Sequence, residues 1–119
     1  MTLLRINNKI LVQERVKSDW PGITLPGGKV EDNESVLESV TREFKEETNL
    51  DIINPIFVDY IEWNNIDENR HLCMLYEANE YQGTLKDSNE GINYFIDIKD
   101  LDLNKYSSDF DIILKKYNI

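Results

Sequence analysis

The chain has 119 residues, 40% of them hydrophobic and 30% charged, and carries a net charge of −10 at pH 7. That length predicts one domain with a real core and excludes two, and no apolar run approaches the ~18 residues of a membrane span. The acidity argues against a general nucleic-acid-binding surface.

Leu3–Ile6 and Lys9–Glu14 read as two strands joined by a tight turn at Asn7-Asn8. Residues 16–22 form a loop, and Ile23–Leu25 is a short strand leading into the turn Pro26-Gly27-Gly28. Ser35 and Glu38 have the spacing of a capping box. The helix they open runs to about Thr48, with Val36, Leu37, Val40 and Phe44 as its core stripe and its acidic residues off that stripe. Ile52–Glu62 and His71–Ala78 are rich in strand formers, separated by the polar stretch Asn64–Arg70. Tyr81-Gln82-Gly83 reads as a turn. Asn93–Ile98 alternates as a strand with Tyr94, Ile96 and Ile98 on one side. Asp100–Asn104 is a short turn or helix, and within 107–117 Phe110, Ile113, Leu114 and Tyr117 have helical spacing. Strands with one central and one terminal helix fit an α/β (α+β) fold, a mixed sheet covered by helices. Cys73 stands alone in an apolar run, as a small buried hydrophobe. With no disulfide framework and no signal-peptide character in the Met-Thr-Leu-Leu start, the expected location is cytoplasmic.

Residues 28–50 hold the most specific pattern. Glu43, Glu46 and Glu47 are spaced i, i+3, i+4 and share one helix face. Three carboxylates ~5–6 Å apart repel, and a hard divalent cation removes the repulsion, Mg²⁺ or Mn²⁺ suiting an all-oxygen set. Gly28, Glu34, Arg42, Glu43, Phe44, Glu46, Glu47 and Leu50 stand at fixed intervals that resemble the Nudix box. Asn49 departs from that pattern, standing where the box has Gly; Asn is the next most tolerant residue in the left-handed conformation that ends a helix. The resemblance covers almost the whole chain, with the box at 28–50 its specific part. It implies an α/β/α sandwich with a mixed β-sheet and a loop-helix-loop at one edge.

By the same resemblance Glu43, Glu46 and Glu47 are metal ligands, joined by the backbone carbonyl of Gly27, and Glu43 stands first for orienting or deprotonating the attacking water. Arg42 pairs with box carboxylates and fixes their orientation, and Glu34 supports it. Glu90, in Asp87-Ser-Asn-Glu-Gly91, sits where related chains add an acidic ligand, and otherwise is an ordinary turn glutamate. Arg15 occupies the place of a phosphate-contacting Arg, and Lys29 follows Gly28 within reach of a terminal phosphate; both also read as solvated cations. Trp20, Trp63 and Tyr94 are candidates for stacking on a purine, with core packing at least as good a reading for each. Trp20 replaces the bulk that related chains carry at the Ile23 position. His71 is assigned no catalysis.

The resemblance is to small bacterial MutT-type members of the superfamily. It implies Mg²⁺-dependent hydrolysis of a nucleoside triphosphate to monophosphate and pyrophosphate, with an oxidised purine deoxynucleotide (8-oxo-dGTP) first among substrates. Other Nudix substrates (a nucleotide sugar, ADP-ribose, an RNA 5′-triphosphate end) and a non-catalytic nucleotide sensor are the alternatives. The acidity is compatible with a nucleotide substrate if bound cations present positive charge to phosphate. The expected partner is a small-molecule nucleotide, with no nucleic-acid track, no membrane, and a monomer or homodimer.

Overall fold

A computed structural model describes residues 1–16, 22–64, 70–102 and 110–119; the side chains at 63, 64, 70 and 71 lie outside that description. Its elements are β1 (Thr2–Ile6), β2 (Lys9–Arg15), β3 (Gly22–Thr24), α1 (Val36–Thr48), β4 (Asp51–Ile52), β5 (Ile56–Asn64), β6 (Arg70–Ala78), β7 (Tyr81–Gln82), β8 (Gly91–Asp97), a 3₁₀ turn at Ile98–Asp100, and α2 (Phe110–Lys116).

β2 is the hub of the larger sheet. β8 runs antiparallel along one of its edges, from Lys9↔Asp97 to Arg15↔Gly91. Its other edge is shared: β1 pairs with the start of β2, at Arg5↔Ile10, and β3 with the end, at Gln13↔Thr24. β1 then lies parallel to β6, and β6 antiparallel to β5, so the sheet is mixed. The period-2 alternation of β1 and β2 splits the core in two. Leu3, Ile10 and Val12 face α2 with its Phe110, Ile113 and Leu114, and Tyr117 just beyond it. Leu4 and Leu11 face α1 and its Val40 and Phe44. Helices on opposite faces of one mixed sheet make the expected α/β/α sandwich.

The local reading met the structure in several places. The Asn7-Asn8 turn forms, with Asn7 at φ 56°. Both halves of the capping box are present: Glu38 N–H donates to Ser35 Oγ at 3.1 Å and Ser35 N–H donates to Glu38 Oε1 at 3.0 Å. All four positions named from helical spacing are buried, Phe110, Ile113 and Leu114 in α2 and Tyr117 just past its end.

Other readings are corrected. Leu37 is 48% exposed, because Val36, Val40 and Phe44 follow an i, i+4 stripe and Leu37 lies one residue, ~100°, off it. Glu47 is not off the core: it is 7% exposed. Tyr81-Gln82 forms β7, paired with β4, and the turn falls at Gly83, where φ is 101°. The segment from Ile52 is not continuous: Asn54, at φ 50° and followed by Pro55, separates β4 from β5. β8 begins at Gly91, and Ile98 opens the 3₁₀ turn. Cys73 is half-buried and packs against the α2-side core. The expectations at Trp20, the Trp63 and His71 side chains, positions 103 and 104, and the first turn of the terminal helix lie outside the described residues.

Candidate active site

The site is built on α1 and the loops at its ends. Asn49 closes the helix at φ 67°, ψ 10°, with its N–H donating to Lys45 O at 2.9 Å. Its side chain adds a bond that glycine could not make, Nδ2 donating to Thr84 O at 2.9 Å. The departure from the box at this position therefore keeps the helix end and ties it to a neighbouring loop.

Arg42 organises the exposed side of the helix. Its Nε and Nη2 donate to the two oxygens of Glu34, at 3.0 and 2.8 Å, a forked pair. Nη1 donates to Glu43 Oε1 at 2.8 Å and to Glu46 Oε2 at 3.1 Å. Nη2 also donates to Lys29 O at 3.0 Å, fixing the loop after Gly28 to the helix. The hydrogen bond from Arg42 is the first cause that holds the Glu34 carboxyl down at about 2, and the same contact raises Arg42 above its ordinary value.

Glu47 faces the other way. Its Oε2 accepts from Gly27 N–H at 2.7 Å, and burial pushes its carboxyl up to about 7. The carboxylates of Glu43 and Glu90 push in the same direction, while the Gly27 N–H opposes them. Gly28 lies directly against Glu43, so that a Cβ there would collide with the Glu43 carboxylate. Glu90 lies across from these groups at the head of β8, where Arg15 Nη1 stands 3.7 Å from its Oε2. Arg15 itself is in register with Gly91 and with Gly22.

The structure thus gathers Gly27, Glu43, Glu47, Glu90 and Arg15 at one end of the sheet. It sets Glu46 apart, on the exposed side with Arg42. Lys29 is exposed beside the Gly-Gly turn. Tyr94 is half-buried against the α2-side core. Among the described residues no three His, Cys, Asp or Glu side chains form a ready-made cage. The donor set nonetheless fits a hard divalent cation: a desolvated carboxylate with two like-charged neighbours is a site that gains by admitting one. The gathered residues offer no thiolate or imidazole, and oxygen ligands alone suit Mg²⁺, Ca²⁺ or Mn²⁺.

Sequence reasoning missed two buried amides behind this cluster. Gln13 and Asn93 are 1% and 6% exposed and share a hydrogen bond of 3.3 Å. The available signal was their place two residues beyond Leu11 and two before Phe95, on the strand face turned to α1.

The NUDIX domain family model matches residues 1–115. The chain belongs to the NUDIX family. An uncharacterized Nudix hydrolase, YvcI, from Bacillus subtilis (strain 168) is 32% identical over 104 residues, which cover 83% of this chain and 65% of that protein. An 8-oxo-dGTP diphosphatase from Proteus vulgaris is 32% identical over 71 residues, 59% of this chain and 62% of that protein. The matches therefore span somewhat under two thirds of these curated relatives. Among solved structures, a MutT NUDIX hydrolase from Burkholderia pseudomallei superposes with a TM-score of 0.85 over 97% of this NUDIX chain and 92% of its own, at 19% identity. At that identity the likeness establishes the fold. No helix among the described residues is long and apolar enough to cross a membrane.

Proposed function

We propose that this NUDIX protein is a divalent-metal-dependent hydrolase of nucleoside diphosphate-linked compounds, acting on nucleoside triphosphates to release monophosphate and pyrophosphate. The observation that carries the reading is Glu47, buried on the Gly27 N–H and sensing the like charges of Glu43 and Glu90, with Arg15 beside Glu90. Mg²⁺, with Mn²⁺ as substitute, is the cation of choice; when bound it would neutralise phosphate oxygens and lower the pKa of a water.

The protein's own groups have separate tasks. Glu43, Glu47, Glu90 and the Gly27 carbonyl would hold the cation, and Glu46 would join them by turning from its contact with Arg42. Glu43, held by Arg42 Nη1 and lying against Gly28, would take a proton from the attacking water. Arg42 keeps Glu34, Glu43 and Glu46 in one arrangement by five hydrogen bonds to those side chains and the Lys29 carbonyl. Arg15 offers a fork to a phosphate, exchanging its contact with Glu90 for substrate oxygens. Lys29, exposed beside the Gly-Gly turn, adds a charge nearby. The Proteus vulgaris relative supports an oxidised purine deoxynucleotide, 8-oxo-dGTP, as first substrate.

The test is product analysis with Mg²⁺ over a panel of ordinary and 8-oxo deoxynucleoside triphosphates, ADP-ribose, dinucleoside polyphosphates, nucleotide sugars and a triphosphorylated oligonucleotide. Monophosphate plus pyrophosphate, with the highest kcat/KM on 8-oxo-dGTP, is expected. Cleavage confined to ADP-ribose, a nucleotide sugar or the oligonucleotide would reject the triphosphate assignment. Tight nucleotide binding with no turnover on any compound would reject hydrolysis itself.

A further inference from the structure

Asn93 lies where three segments of the chain meet behind the acidic cluster. Its Nδ2 donates to Glu47 O at 2.7 Å and to Lys86 O at 2.9 Å. Its Oδ1 accepts from Gln13 Nε2, and its backbone N–H donates to Asp87 Oδ1 at 2.9 Å. A donor from Gln13 on one side and two carbonyls on the other leave the amide a single orientation that satisfies all of them. Glu47 O belongs to the last turn of α1, whose carbonyls have no partner within the helix. Lys86 N–H serves the next one, Thr48 O, at 2.9 Å. The segment from Lys86 to Gly91 therefore caps the end of α1 through Asn93 and Lys86, and it carries Glu90.

The far side of that segment is held as well. Val16 N–H donates to Glu90 O at 3.4 Å, Glu90 N–H donates to Ser88 Oγ at 3.1 Å, and Gly91 packs on the Glu14 carbonyl so closely that a Cβ would overlap it. Glu47 lies on α1 and Glu90 on the segment before β8, so their carboxyl groups serve one site only if the two segments are held together. Two contacts join the end of α1 to that segment directly, the backbone bond from Lys86 N–H to Thr48 O and the buried side-chain bridge at Asn93.

We propose that Asn93 is a positioning residue of the acidic site: by bridging Glu47 O and Lys86 O it holds the Glu90 segment against the end of α1, so that Glu47 and Glu90 bind one cation together. This rests on the metal-site reading above. Asn93 touches neither substrate nor cation; it acts through the backbone of Glu47 and of Lys86.

Mn²⁺ binding to the purified protein, read from the electron-paramagnetic-resonance signal of the free ion, tests it for wild type, Asn93→Ala, Asn93→Ser, Glu90→Gln, Glu47→Gln and the Asn93→Ala/Glu90→Gln double variant. Far-UV circular dichroism and urea unfolding run alongside. Asn93→Ala and Glu90→Gln are each expected to weaken Mn²⁺ binding by ~10–100-fold, the range for groups that orient metal ligands. The double variant should bind within ~3-fold of the weaker single, because both changes remove the same contribution. Asn93→Ser, which keeps one donor, should fall between wild type and Asn93→Ala, and it carries the same cycle if the alanine variant fails to fold. A folded Asn93 variant that loses stability yet binds Mn²⁺ like wild type overturns the proposal, as does a double variant whose loss is the product of the two singles. If Glu47→Gln binds Mn²⁺ like wild type, the metal-site reading falls and this proposal with it. If only the Asn93 variants bind normally, the proposal falls alone.

Discussion

Glu47→Gln should stabilise the metal-free protein, and should do so in a pH-dependent way. The Glu47 carboxyl is 7% exposed and titrates near 7 in the folded chain, against 4.5 when free. Its folded value lies above its unfolded value, so the stability it contributes is present below pH 4.5 and is lost as the pH rises through 7. A difference of that size corresponds to about 3 kcal/mol at pH 8, with ~1.4 kcal/mol per pKa unit. Glutamine is isosteric, stays neutral, and keeps an oxygen that can accept from Gly27 N–H. Urea unfolding of wild type and variant in chelator should therefore show a gap of about 3 kcal/mol at pH 8 in favour of the variant, shrinking to about 1 kcal/mol at pH 5. In thermal unfolding at pH 8 the same gap is about 10 °C. Mg²⁺ added at pH 8 should raise the stability of wild type more than that of the variant, since it binds the folded carboxylates. A gap that does not change with pH, or a variant less stable than wild type at pH 8, would refute the claim that burial among like charges dominates at Glu47.

Gly28→Ala should fold, because its backbone is not left-handed, yet lose roughly 100-fold or more in kcat/KM as the new Cβ displaces the Glu43 carboxylate; near-normal turnover would show that Glu43 need not hold its place. Arg42→Lys keeps the charge and loses the fork to Glu34 and the shared contact to Glu43 and Glu46, and activity should fall ~10–100-fold with an increased metal requirement; a metal titration of initial rates checks it. Asn49→Gly trades the bond to Thr84 O for easier left-handed geometry and should leave activity intact and stability within about 1 kcal/mol, whereas Asn49→Ala should cost more than Gly by urea unfolding.

What could be read along the chain was whatever is decided within a turn or two of it. Ser35 and Glu38 find each other across three residues, and Asn49 ends the helix by its own backbone preference; both were legible. The box spacing placed Arg42 among its carboxylates for the same reason. The burial of Glu47 was not legible, because it depends on the Gly27 loop and the head of β8, which lie far off in sequence. Asn93 escaped notice for a like reason: a polar residue opening a strand looks solvent-facing until the end of α1 is laid over it. β7 reads as a turn in the sequence because two residues carry no alternation, and their partner strand, β4, is twenty-nine residues upstream at Ile52↔Tyr81. Leu37 shows the opposite error, an apolar residue credited to a stripe it adjoins but does not share.

The proposed function requires that the Glu43, Glu47 and Glu90 cluster bind a divalent cation and use it to break a pyrophosphate bond. The direct measurement is release of monophosphate and pyrophosphate from 8-oxo-dGTP by wild type and Glu47→Gln, each with saturating Mg²⁺ and with excess chelator. Turnover by wild type with Mg²⁺ alone, lost in chelator and lost in the folded variant, is the predicted result. Hydrolysis that persists undiminished in chelator, or in Glu47→Gln at saturating Mg²⁺, would contradict it.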